Sequence, residues 1–187
     1  MYTNPYDIAK TYVELLDAYS EVLNRIVTSY QSKRHLTVLT GMRKVVPANL
    51  YPVLEIEVQE ASNEWATTHG QRPTYNFKFT LTIKCEKEEV GLEYICTLTA
   101  ELVRILTSPQ NIQIPVLGAK KFSPDGKIVN SYIMDGLVDN VTYALSRDGT
   151  TRISEFNLWV KVHEPYPDIY FTKATPLESP SSSSSSQ

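Results

Sequence analysis

Catalytic and metal sites are built mostly from histidines, cysteines and paired carboxylates, and here those side chains are scattered. His35, His69 and His163 lie in three separate segments without the spacing that would bring two of them onto one metal ion. Cys85 falls on the apolar side of a strand pattern and Cys96 within a helical pattern. Both are therefore expected to be small, reduced core residues rather than nucleophiles. Glu55 and Glu57 share one face of a strand and could share a proton, but alternating Glu on a solvated strand face has the same spacing. Seven glycines are present, none in a Gly-rich phosphate loop between strand and helix, and no G-x-S-x-G elbow occurs. The sequence points to a protein that is not an enzyme and needs neither metal nor cofactor.

Binding chemistry is better represented. The segment Ala61 to Arg72 joins two strand patterns with about a dozen residues, more than a tight hairpin uses. It carries Trp65, His69 and Arg72; Trp and Arg are the residue types that most often anchor protein interfaces. The alternative is that Trp65 folds back to close the end of the core. Near the C-terminus, Tyr166, Tyr170 and Phe171 stand among prolines, where a neighbouring surface could bury them. The candidate partner contacts are therefore Trp65, His69, Arg72, Tyr166, Tyr170 and Phe171.

Composition narrows the class. The chain has 187 residues with 18 Lys+Arg against 21 Asp+Glu, a formal net charge of −3, which argues against binding driven by phosphate neutralisation. Two cysteines fit a reduced, cytosolic place of synthesis. No apolar run is long enough to span a membrane, and the opening Met-Tyr-Thr-Asn-Pro lacks a signal-peptide pattern. One domain is expected over 1–164. An extension over 165–187 follows, where prolines and six consecutive serines cannot build a core.

The elements that must position these residues are legible in the periodicity. Asn4, Pro5 and Asp7 open a helix whose stripe of Ile8, Tyr12, Leu15, Tyr19, Val22 and Ile26 predicts one long helix over 5–30. The same spacing would serve a coiled-coil seam, although Val13, Leu16, Leu23 and Val27 widen the stripe toward sheet packing. A short strand is expected over 36–40, ended by Gly41, and another over 52–59 with Leu54, Ile56 and Val58 inward. From Thr74 to Cys85 apolar and polar residues alternate without a fault, predicting an antiparallel strand with one wet face. Ile95, Leu98, Leu102 and Ile105 mark a second, amphipathic helix ended by Ser108-Pro109. Pro115 would confine a strand over 112–117 to a sheet edge, and Phe122 to Gly126 reads as a turn. A long strand over 128–145 is expected to bend near Gly136. Asp148-Gly149 turns it into a return strand with Phe156, Leu158, Val160 and Val162 inward, after an irregular start at Ile153.

This order resembles the tail terminator (tail-completion) proteins of tailed bacteriophages. The resemblance spans roughly 4–163 and rests on element order and size. It implies an α+β fold: an antiparallel sheet with the long N-terminal helix and the second amphipathic helix packed on one face, followed by an extended C-terminal tail. It also implies a homo-oligomeric, hexameric ring in the virion, assembled in the host cytoplasm, that caps the tail tube protein and meets the head-side connector or neck protein. Double-stranded DNA would pass through the centre without sequence-specific binding, and no membrane is involved. The alternatives are a head-completion or neck connector protein one ring higher, and a generic cytosolic interaction domain.

Overall fold

The faultless alternation becomes the central strand of a six-stranded sheet. In a computed structural model the described residues are 3–41, 46–67, 70–111, 114–122, 128–146 and 149–165. In chain order the elements are α1 (Pro5–Ala18), α2 (Ser20–Tyr30), β1 (Thr37–Thr40), β2 (Val53–Thr67), β3 (Gly70–Lys84), α3 (Glu88–Leu106), β4 (Pro115–Phe122), β5 (Ile128–Leu145) and β6 (Thr151–Pro165). The strand order is β1-β2-β3-β6-β5-β4. No described helix is long and apolar enough to cross a membrane.

On β3, Tyr75, Phe77, Phe79, Leu81 and Ile83 are buried against the helices, as the alternation requires. Phe79 stacks on Phe156 of β6 at 5.1 Å, and Tyr12 of α1 meets the rings of both Phe77 and Phe79 edge-on at 6.2 Å. The opposite face is less wet than expected. Val53 pairs with Thr82 and Glu55 with Thr80, and all four are buried, so Glu55 does not sit on a solvated face. Tyr51 lies over part of that face, with Lys84 Nζ 4.9 Å from its ring centre.

Three expectations are corrected. The N-terminal helix is not continuous: Tyr19 interrupts it with φ −99° and ψ 10°. The bend lets α1 pack on β1, β2 and β4 while α2 turns onto α3, and the Tyr19 hydroxyl donates to Asn111 Oδ1 at 3.3 Å. The buried stripe becomes Ile8, Tyr12, Leu16, Leu23 and Val27, leaving Val22 39% exposed. The sheet is mixed, not purely antiparallel, because β1 pairs with β2 in parallel; the connection over 41–52 is long enough to carry the chain back to the starting end. Finally, no bulge occurs at Ile153, since the β3–β6 register runs unbroken from Thr151 to Lys161. What changes there is chemistry: Arg152 and Ser154 occupy helix-facing positions, so the apolar alternation fails while the backbone stays regular.

Other expectations hold with adjustment. β4 is an edge strand beginning at Pro115, and β5 carries two register shifts that flank Gly136 rather than a single bend. Val58 is 38% exposed, so the apolar face of β2 runs out there. Cys85 lies just past β3 and is, like Cys96, half-buried and free. The expected turn after Phe122 and the extension beyond Pro165 lie outside the described residues.

Gly91, in the first turns of α3, has a packing role that periodicity hides. A Cβ there would stand 2.2 Å from Arg152 Nε. Alanine in mid-helix ordinarily gains about 1 kcal/mol over glycine. Here Gly91→Ala is expected to destabilise, and Arg152→Ala, which removes Cδ, Nε and Cζ, is expected to restore the ordinary gain. A double-mutant cycle by urea denaturation should show coupling of about 1–2 kcal/mol.

Candidate assembly surfaces

The alternation of β3, β5 and β6 puts one set of side chains under the helices and the other on the opposite, outer face. Pairing then assembles rows across that outer face. Thr74, Lys161 and Asp135 form one row, Asn76, Trp159 and Leu137 the next, and Lys78, Asn157 and Asp139 a third. Leu137 is 66% exposed, an unusual position for leucine, while Lys78 Nζ and Glu155 Oε1 form an ion pair at 2.8 Å.

Arg72 belongs to this face. It pairs with Glu64 of β2 and lies close enough to His163 for its charge to act on the imidazole. His163 in turn packs against Tyr132 at 4.9 Å between ring centres. Arg72 Nε and Asn76 Oδ1 are buried without a hydrogen-bond partner among the described residues. Buried polar atoms are nearly always satisfied, so these two atoms take partners beyond the described residues, either undescribed side chains of this chain or another molecule. Desolvation by burial, and then the Arg72 charge, hold the His163 pKa below its ordinary 6.5.

That depression carries a pH prediction. A histidine with a lowered folded pKa binds more protons when unfolded, so its contribution is complete above pH 6.5 and is lost as the pH falls through the folded value. Melting temperature should therefore decline on acidification below 6.5, and His163→Gln should make that decline shallower. An identical slope in the variant would remove His163 from the titration.

On the helix-facing side the same end of the sheet is closed by polar groups that the periodicity did not single out. Glu164 is 3% exposed and accepts from the Thr3 amide; the Tyr75 hydroxyl lies 3.4 Å from Glu164 Oε1 and donates to the Thr3 carbonyl at 3.0 Å. Thr3 Oγ1 bonds Ser131 Oγ at 3.0 Å. This cluster ties the segment before α1 to the end of β6.

Of the expected contacts, the structure brings Arg72 together with His163 and Tyr132. The segment Ala61 to Arg72 is not an open loop, because β2 runs to Thr67 and β3 starts at Gly70. These residues form the end of a long hairpin, since Ala61 pairs with Tyr75 and Thr67 with Gly70. Trp65 is on β2, but its side chain lies outside the described residues, as do His69, Tyr166, Tyr170 and Phe171. Among the described residues no cluster of His, Cys, Asp and Glu has the makings of a metal site. Trp159 was visible in the sequence on the polar parity of its strand; only the pairing with Asn76 and Leu137 makes it part of a surface.

No protein-family model matches the sequence, and no curated protein does. The fold is similar to that of a chain in a structure described as the virion of a native gene transfer agent particle, with a TM-score of 0.53 and 10% identity. The match covers 88% of this chain and 100% of that one. At such identity the likeness is one of fold.

Proposed function

We propose that the chain is a structural virion protein of a tailed phage or related particle, and that it acts as a tail terminator. In this reading copies close into a hexameric ring on the last ring of the tail tube, stop its growth and offer a surface to the head-side connector, and double-stranded DNA passes through the centre. Its work is mechanical and not catalytic. The observation that carries the reading is the fold likeness to a virion chain over that chain's full length, together with the element order that resembles the terminator family. The outer face adds support, because Leu137 stands 66% exposed on it beside Trp159. A net charge of −3 suits a conduit, since a lumen without dense Lys/Arg lets a duplex slide instead of holding it.

Electron microscopy of particles made without this chain tests the assignment. Overlong tails of irregular length, unattached to DNA-filled heads, are the expected result. Tails of normal length beside heads that lose their DNA would move the protein one ring higher, to the neck. Normal joined particles would overturn both.

A further inference from the structure

The sheet ends in two unlike edges, and each carries what the other lacks. At the β1 edge the helix layer overhangs the sheet: α1, α2 and β1 enclose a cavity of about 230 Å³ lined by Leu16, Leu23, Leu36 and Val38 together with Glu14 and Asp17. At the other edge Tyr143 and Leu145, on the helix-facing side of β5, are 46% and 49% exposed, although the Tyr143 hydroxyl reaches Cys96 and Thr99 of α3. Among the described residues no strand pairs with the outer edge of β5 beyond Ile133, and none with the outer edge of β1. Unpaired edges with apolar side chains invite another strand.

Charge follows the same complementarity. Arg152, cross-strand from Leu145, is 5% exposed, yet its Nε and Nη2 have no hydrogen-bond partner among the described residues. Two buried guanidinium nitrogens without a partner among the described residues are costly, and a carboxylate is what would complete them. The cavity at the far edge offers two, Glu14 and Asp17, both solvent-exposed in the isolated chain.

The register within one copy offers a way to join the two edges. One rung crosses from Val38 through Leu54, Leu81 and Ser154 to Tyr143. A second copy set down along that rung, with no shift along the strands, brings its Tyr143 beside Val38 and its Leu145 beside Leu36. Both pairs fall on the helix-facing side, and β5 runs antiparallel to β1, so the sheet continues with its parity intact. Arg152 then stands about 10 Å, two strand spacings, from the neighbour's β1.

We propose that copies of this chain join head to tail through these edges. The α1–α2–β1 cavity of one copy receives Tyr143 and Leu145 of the next, and Glu14 and Asp17 supply the carboxylates for Arg152. The proposal rests on the ring reading above and names its joint. A heterologous contact of this kind closes into a ring when the rotation permits.

Light scattering on two variants and their mixture tests it. Tyr143→Asp with Leu145→Asp spoils the β5 edge, and Ser20→Trp fills the cavity, which Ser20 lines. The wild-type chain should form a ring and each variant alone should be monomeric. The equimolar mixture should stop at a dimer, because one intact cavity and one intact edge remain. Circular dichroism confirms that each variant is folded. Independently of any variant, amide exchange in the wild type should slow on assembly at 37–40 and 141–145. Rings from either variant, a mixture that stays monomeric, or unchanged exchange at those residues in an assembled ring would overturn the joint while leaving the ring standing. A wild-type chain that never assembles would overturn both.

Discussion

Replacing Phe79 with alanine is expected to cost about 3–5 kcal/mol of folding stability in urea or guanidinium denaturation. Its ring is fully buried at the centre of the sheet, stacked on Phe156 and met edge-on by Tyr12. Truncation would remove contacts to β6 and α1 at once, and the surrounding strands, held by ladders on both sides of β3, cannot collapse into the gap. Val22, which the helical stripe places on the same footing, is 39% exposed; Val22→Ala should cost less than about 0.5 kcal/mol. A loss below about 1 kcal/mol at Phe79 would mean that this face is not the core.

The second large effect is functional. Trp65→Ala combined with Arg72→Ala should leave the subunit folded and abolish the joining of tails to heads. Trp65 sits on the β2 segment of the hairpin, within the register shift between Glu64 and Thr67, and Arg72 on its β3 return, so both belong to the end of the hairpin rather than to a free loop. Two interface anchors of about 2 kcal/mol each would weaken docking by roughly a thousandfold. Counting joined particles by electron microscopy, with purified variant subunits checked by circular dichroism, separates this from misfolding. A normal yield of joined particles would remove the hairpin end from the interface.

The helix-facing core was legible because it is made of period-two and period-four patterns. Tyr75 to Ile83 and Phe156 to Val162 are buried as their alternation demands, and α3 ends where Ser108-Pro109 stops it. The candidate surface was legible only in part. Arg72 stood out as a residue type, but the array it joins with His163 and Tyr132 comes from strands far apart in the chain. Glu55 reads as a solvent residue from its neighbours in sequence, and it is buried by elements that local spacing cannot reveal.

What the sequence determined by itself, then, was which residues turn inward and where each element stops, since side-chain periodicity, proline and glycine act over a few residues. Tertiary structure alone decided the rest. The bend at Tyr19 exists because one helix must serve both the sheet and α3. The parallel placement of β1 depends on which edge the chain returns to. Gly91 is needed because Arg152, some sixty residues later, passes against it. Each is a contact between distant segments, and its energy depends on where the partner lies, which no window of neighbouring residues contains.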